Sequence, residues 1–177
     1  MVSVMSKMNF KEAKNSVLNW IENFVEKTNP ELNGLPPCPY ARRSRLENRL
    51  TVLEGREVFS DVVNLVIQWN DDYDVVVFVY DRHSYTVDTL SKHINTINKK
   101  YALPNDILVL EDHPDNLELV NGVSMNQGRY ILLLCQRFSK VNLASTELKG
   151  QGYYDLWSKE YYDQVVGWRE QYVFDDS

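Results

Sequence analysis

The sequence predicts a single α/β domain, with a mixed, mostly parallel sheet of about four strands packed against helices. Three observations lead there. Two apolar runs, at 75–80 and 107–110, are short and rich in aliphatic, largely β-branched residues, the pattern of strands buried on both faces. The stretches before and between them carry apolar residues at helical spacing. The chain has 177 residues, 44% of them hydrophobic, which suffices for one sizeable core over 1–177 and gives no sign of a second.

The elements follow in order. Residues 1–8 have no periodic pattern and are expected to be loose. Ala13, Val17, Trp20, Ile21, Phe24 and Val25 fall on one stripe, which predicts an amphipathic helix over 10–27, stopped by Thr28, Asn29 and Pro30. Residues 32–39 hold Gly34, Pro36, Pro37 and Pro39, so Cys38 is expected in a stiff loop that neither continues the helix nor pairs as a strand. A short strand is predicted at 49–53, then a helix through Val58, Val62 and Val66, and a turn at 70–72. After the strand at 75–80, Ser84 is the expected N-cap of a helix carrying Val87, Leu90, Ile94 and Ile97. The strand at 107–110 leads into a loop with Asn121-Gly122, then a strand at 129–135. A final helix over 153–172 groups Tyr154, Trp157, Tyr161, Val165 and Trp168 on one face. That face is too apolar for water, so it should cover the chain's own sheet or first helix, with a twofold partner chain as the alternative. Right-handed crossovers predict parallel pairing of the first three strands, with 75–80 and 107–110 adjacent.

A net charge of -6 argues against a nucleic-acid partner, which requires a basic stripe to neutralise phosphates. The only thiols, Cys38 and Cys135, make no disulfide framework, and cytoplasm is the simple inference. Lys7 and Lys11 precede an amphipathic stretch without a continuous apolar core, which is neither a signal peptide nor a membrane span.

In an open parallel sheet, ligands bind beyond the carboxyl ends of the strands. Those ends carry Glu54, then Asp81 and His83, then Glu111, Asp112, His113 and Asp115. Asp81, His83, Glu111 and His113 offer carboxylate and imidazole donors suited to a divalent metal, although no diagnostic spacing favours one. The competing reading is that such residues cap helices and order turns. His113, flanked by acids that favour its protonated form, is the candidate general acid or base; ordering a tight turn is its structural alternative. His93 is expected at the surface.

Cys38, close to Arg42 and Arg43, has two readings. Nearby positive charge would lower its pKa and let it pair with His113 as a thiol–imidazole site, whereas most free cysteines act as small buried hydrophobes. The Cys-Pro-Tyr triplet is similar to glutaredoxin active sites, but the second Cys they need is replaced by Ala41. Arg42, Arg43 and Arg45 form the one concentrated positive patch. With Tyr40 and Asp115, Arg42 and Arg43 are the candidate contacts for a small anionic ligand, although three Arg in four residues cannot all face one ligand and one or two of them should neutralise the domain's own carboxylates. Gly-rich phosphate loops, paired CxxC motifs and Ser elbows are absent from the sequence.

The order of a first amphipathic helix, Cys38-Pro39-Tyr40-Ala41, alternating strands and helices, then His113-Pro114-Asp115 resembles a bacterial family called domain of unknown function 1415. The likeness spans residues 11–144. Its family pattern has Phe at the position of Tyr40 and Leu at that of Pro37. The family has no established function, so the resemblance implies a shared architecture and no activity. The leading expectation is a small-anion or thiol/imidazole site. A protein-interaction module using the aromatic tail, with a homodimer as one form of it, and a metal-dependent enzyme are the alternatives.

Overall fold

A computed structural model describes residues 7–172. Of the expected loose start, residues 1–6 lie outside the described residues, while Met8 already packs on the core.

Helix α1 (Phe10–Trp20) starts at Asn9, whose side chain accepts the Glu12 N–H, and it continues as a π-helical turn to Val25. After a short helical turn at Pro30–Leu32 come α2 (Ala41–Leu46) and β1 (Leu50–Glu54). Then follow α3 (Val58–Ile67), β2 (Val75–Tyr80), α4 (Val87–Ile97) and β3 (Ile107–Asp112). The N-cap of α4 is Thr86, whose hydroxyl accepts the Thr89 N–H, two residues beyond the expected Ser84.

The main sheet has the order β1-β2-β6-β3, where β6 is Ile131–Arg137. β1 and β2 pair in parallel as expected. The predicted adjacency of 75–80 and 107–110 is overturned, because β6 lies between them and is antiparallel to both. β6 is apolar on both faces, with Ile131, Leu132, Leu133 and Cys135 buried, and hydrogen-bonding it on both edges satisfies its backbone where no water reaches. β3 is thereby an edge strand.

Alternate strand residues feed two cores. Val76, Phe78 and Tyr80 of β2, with Ile107 and Val109 of β3, meet α3 and α4 through Val62, Leu90 and Ile97. Val75, Val77 and Val79 meet Ala13 and Val17 of α1 and Ile21 of the π-helical turn on the opposite face. Cys135 is buried, as its apolar run implies.

Beyond α1, the C-terminal segment covers the rest of that face. It comprises α5 (Phe138–Gly150), α6 (Lys159–Tyr162), a π-helical turn over Asp163–Gly167 and α7 (Trp168–Glu170). Phe138, Trp168 and Tyr172 pack with Leu108 and Leu110 of β3, so of the expected stripe Trp168 covers this chain's own sheet, while Tyr154, Trp157 and Tyr161 pack as a ring cluster of their own. The tail is not one helix from 153. Residues 151–157 form turns, and the last helical stretch starts where the Ser158 hydroxyl accepts the Tyr161 N–H. α5 escaped the sequence pattern because its apolar residues do not align on one face: Phe138 and Leu148 are buried while Leu143 is 65% exposed. A small hairpin, β4 (Leu119–Val120) and β5 (Val123–Ser124), also lies in the stretch expected to be loop. Its turn is Asn121-Gly122, both at positive φ, the pair that matches strand twist best. No helix among the described residues is long and apolar enough to cross a membrane.

Candidate functional site

The two motifs singled out in the sequence occupy different surroundings. The Cys38 loop is fixed by its backbone N–H donating to Val25 at the end of the first helix, and by the Tyr153 hydroxyl donating to the Pro37 carbonyl. Burial pushes the Cys38 thiol up, outweighing the backbone N–H groups of Tyr40 and Ala41 that favour the thiolate. The expected lowering by Arg42 and Arg43 does not occur. Arg43 pairs with Glu47 at 3.0 Å in solvent, and Arg45 takes the nearly enclosed Glu26 carboxylate with two nitrogens, at 2.7 and 3.1 Å. That last pairing is the charge neutralisation expected of the Arg cluster.

His113 is buried at the end of β3, with both ring nitrogens engaged. Nδ1 accepts the Asp115 N–H at 3.0 Å, which places the proton on Nε2, and Nε2–H donates to the Tyr85 carbonyl at 2.8 Å. Neither nitrogen is left for Cys38, and the thiol–imidazole pair does not form. His93, expected at the surface, is half-buried edge-on to Tyr85, with its Nδ1 enclosed.

The proposed metal donors do not gather either. Asp81 accepts the His83 N–H in a turn, Glu111 accepts the Ser91 hydroxyl at 2.8 Å, and His113 is bound to backbone. Among the described residues no three His, Cys, Asp or Glu side chains are arranged to hold a metal ion. The candidate anion contacts are likewise dispersed. Arg42 and Arg43 line a shallow depression with Pro39, Leu46 and Glu47, the Tyr40 hydroxyl donates to Glu147, and Asp115 pairs with Arg82.

What does converge lies at the carboxyl end of β3. Asp112 is buried, and its carboxylate accepts from the Asn126 side chain at 2.8 Å and the Gln127 N–H at 2.9 Å. Burial still raises its pKa, and that of half-buried Glu111. Asn126 also donates to the carbonyls of His113 and Asn116 and accepts the Glu118 N–H at 2.7 Å, holding the loop after β3 in one shape.

Glu118 stands at the end of that loop and lines a cleft of about 220 Å³ with Leu117, Leu119, Ser158, Glu160 and Tyr161. Among the described residues no donor or cation meets its carboxyl group. Burial, and then the charges of Asp112 and Glu111, push it up to about 7. A carboxyl group so placed exchanges a proton near neutral pH, and an arriving positive charge favours its ionised form. The phenol of Tyr161 is also raised, by burial first and then by Glu118 and Asp112, which fixes its hydroxyl as a neutral donor.

The sequence indicated the correct sheet edge through Glu111 and Asp112 but not Glu118, Tyr161 or Asn126. Fold and site together define a single α/β domain with an acidic cleft beside the edge strand of its sheet. The chain matches no protein-family model, no curated protein and no solved structure.

Proposed function

We propose that this domain binds a small molecule or side chain bearing a primary ammonium group on an apolar stem, in the cleft beside Glu118. The observation that carries the reading is the Glu118 carboxyl group, which lines the cleft without a donor or counter-charge among the described residues. A half-buried carboxyl group beside two other acids is costly to ionise unless something pairs with it, and a cation is the partner the neighbouring carboxylates favour. The rim supplies the rest of the specificity. Leu117 and Leu119 are 66% and 48% exposed beside Glu118 and offer apolar contact to a stem. Tyr161 contributes an aromatic wall of the kind that attracts ammonium groups.

Binding is proton-coupled in this account. With Glu118 near 7 in the free protein, an arriving ammonium lowers its pKa and expels the proton. Affinity therefore rises with pH through 7 and levels off above it. Calorimetric titration with n-butylammonium tests this. Affinity should fall about tenfold from pH 8 to pH 6, because one unit below its pKa a carboxyl group is about one-tenth ionised. Glu118→Gln should remove both the binding and its pH dependence, and n-butanol should not bind. A variant that binds as wild type does, or an affinity flat from pH 6 to 8, overturns the proposal.

A further inference from the structure

The C-terminal segment holds a second unsatisfied charge, of opposite sign. Arg169 is only 5% exposed, and its Nε and Nη1 are enclosed without any hydrogen-bond partner. Arginine does not escape burial by losing its proton, so an enclosed guanidinium without a counter-charge is strongly unfavourable. The adjacent acid does not serve. Glu170 Oε1 already accepts from the Tyr162 hydroxyl at 2.7 Å and from Lys149 Nζ at 3.3 Å, with its side chain 54% exposed. Arg169 feels Tyr154, Tyr162 and Glu170 and no other charged or titratable neighbour strongly.

We propose that Arg169 anchors a site for a small oxyanion, a carboxylate or phosphate group, bound against Tyr154. The fork of a guanidinium fits both anions through two parallel N–H bonds. Nη2 is not among the enclosed atoms, so the edge it shares with Nε is open to an entering ligand on one side. The Tyr154 hydroxyl makes no hydrogen bond among the described residues and is a second donor available to the same group. Lys149, 5.6 Å from the centre of the Tyr162 ring, adds positive potential nearby. The π-helical turn over Asp163–Gly167 immediately precedes this stretch, a winding often found next to sites because it redirects the side chains that follow. The site shares no anchoring residue with the Glu118 cleft, and each stands without the other.

The test uses the full chain. Proton–nitrogen spectra of the arginine Nε–H groups are recorded while sodium phosphate, or separately sodium acetate, is added against sodium chloride of matched ionic strength. One slowly exchanging Nε–H, missing from the spectrum of Arg169→Lys, should shift with an oxyanion and stay still in chloride; the salt that moves it tells phosphate from carboxylate. The melting temperature should rise by a few degrees with the same salt, and the rise should vanish in Arg169→Met, which removes the enclosed charge while keeping an apolar stem. A resonance that ignores both oxyanions overturns the proposal, as does an equal thermal gain in wild type and Arg169→Met. If Arg169→Met does not fold, the wild-type resonance decides alone.

Discussion

The Nε2–H of His113 donates to the carbonyl oxygen of Tyr85 at 2.8 Å, joining the end of β3 to the loop that starts α4. β2 and β3 are not neighbours, so this bond, together with Ser91–Glu111 and the two bonds of Asn98 to the Val109 backbone, ties β3 to the α4 side of the domain. His113→Ala would leave the Tyr85 carbonyl and the Asp115 N–H without partners inside the protein. The expected loss is about 2–4 kcal/mol, measured by urea denaturation. Unchanged stability would return His113 to the list of groups free for chemistry.

Cys38 should be a slow nucleophile. Its thiol is pushed up by burial, so little thiolate exists at pH 7.5. Reaction with an aromatic disulfide reagent should be about tenfold or more slower in the native protein than in urea, because the half-buried thiol holds its proton more tightly and is only partly accessible. Rapid labelling of the native Cys38 would contradict the packing role.

Trp168 stacks on Phe138, with ring centroids 6.3 Å apart, in the cluster that seals β3. Trp168→Ala should cost about 2–3 kcal/mol through lost apolar contact, read as a lower melting temperature. Truncation after Gly150 removes this cover and should bring aggregation. A truncated chain as stable and soluble as the whole would show that the tail contributes nothing to the core.

Glu118 makes stability depend on pH. Its pKa is raised on folding, so the folded state binds the proton more tightly than the unfolded chain does. Its favourable contribution is complete below the unfolded pKa, near 4.5, and is lost as pH rises through about 7. Glu118→Gln, which cannot ionise, should therefore stabilise the protein at pH 8 by on the order of 2 kcal/mol after allowance for solvent screening, and by almost nothing at pH 4. Thermal melts of both proteins across that range test the sign.

Local patterns were legible where one residue type fills both faces of a strand, as in Val75–Tyr80, or one stripe of a helix, as in Val17 and Ile21. The choice between centre and edge was not. Residues 107–110 and 131–134 are equally apolar, and only the pairing of β6 with both β2 and β3 assigns their places. The hairpin around Asn121-Gly122 reads as loop in the sequence, because its strands are two residues each and too short for any alternation to show. The site was half legible. Asp112 and Glu111 end a strand and so were placed at the right edge, but Glu118 is one acid in a polar loop. Its environment depends on Asp112 beside it and on Tyr161, which only the folded tail brings near. Arg169 in an aromatic-rich tail reads as a solvated charge, and its enclosure is a product of packing alone.

The central claim is that the Glu118 carboxyl group is held half-protonated at neutral pH, ready to receive a cation. The direct measurement is the titration of its side-chain carboxyl carbon by nuclear magnetic resonance, with and without n-butylammonium. The account predicts a midpoint near 7 in the free protein and a clear downward move with the amine. A midpoint at the ordinary value for glutamate, about 4.3, unmoved by the amine, would contradict it.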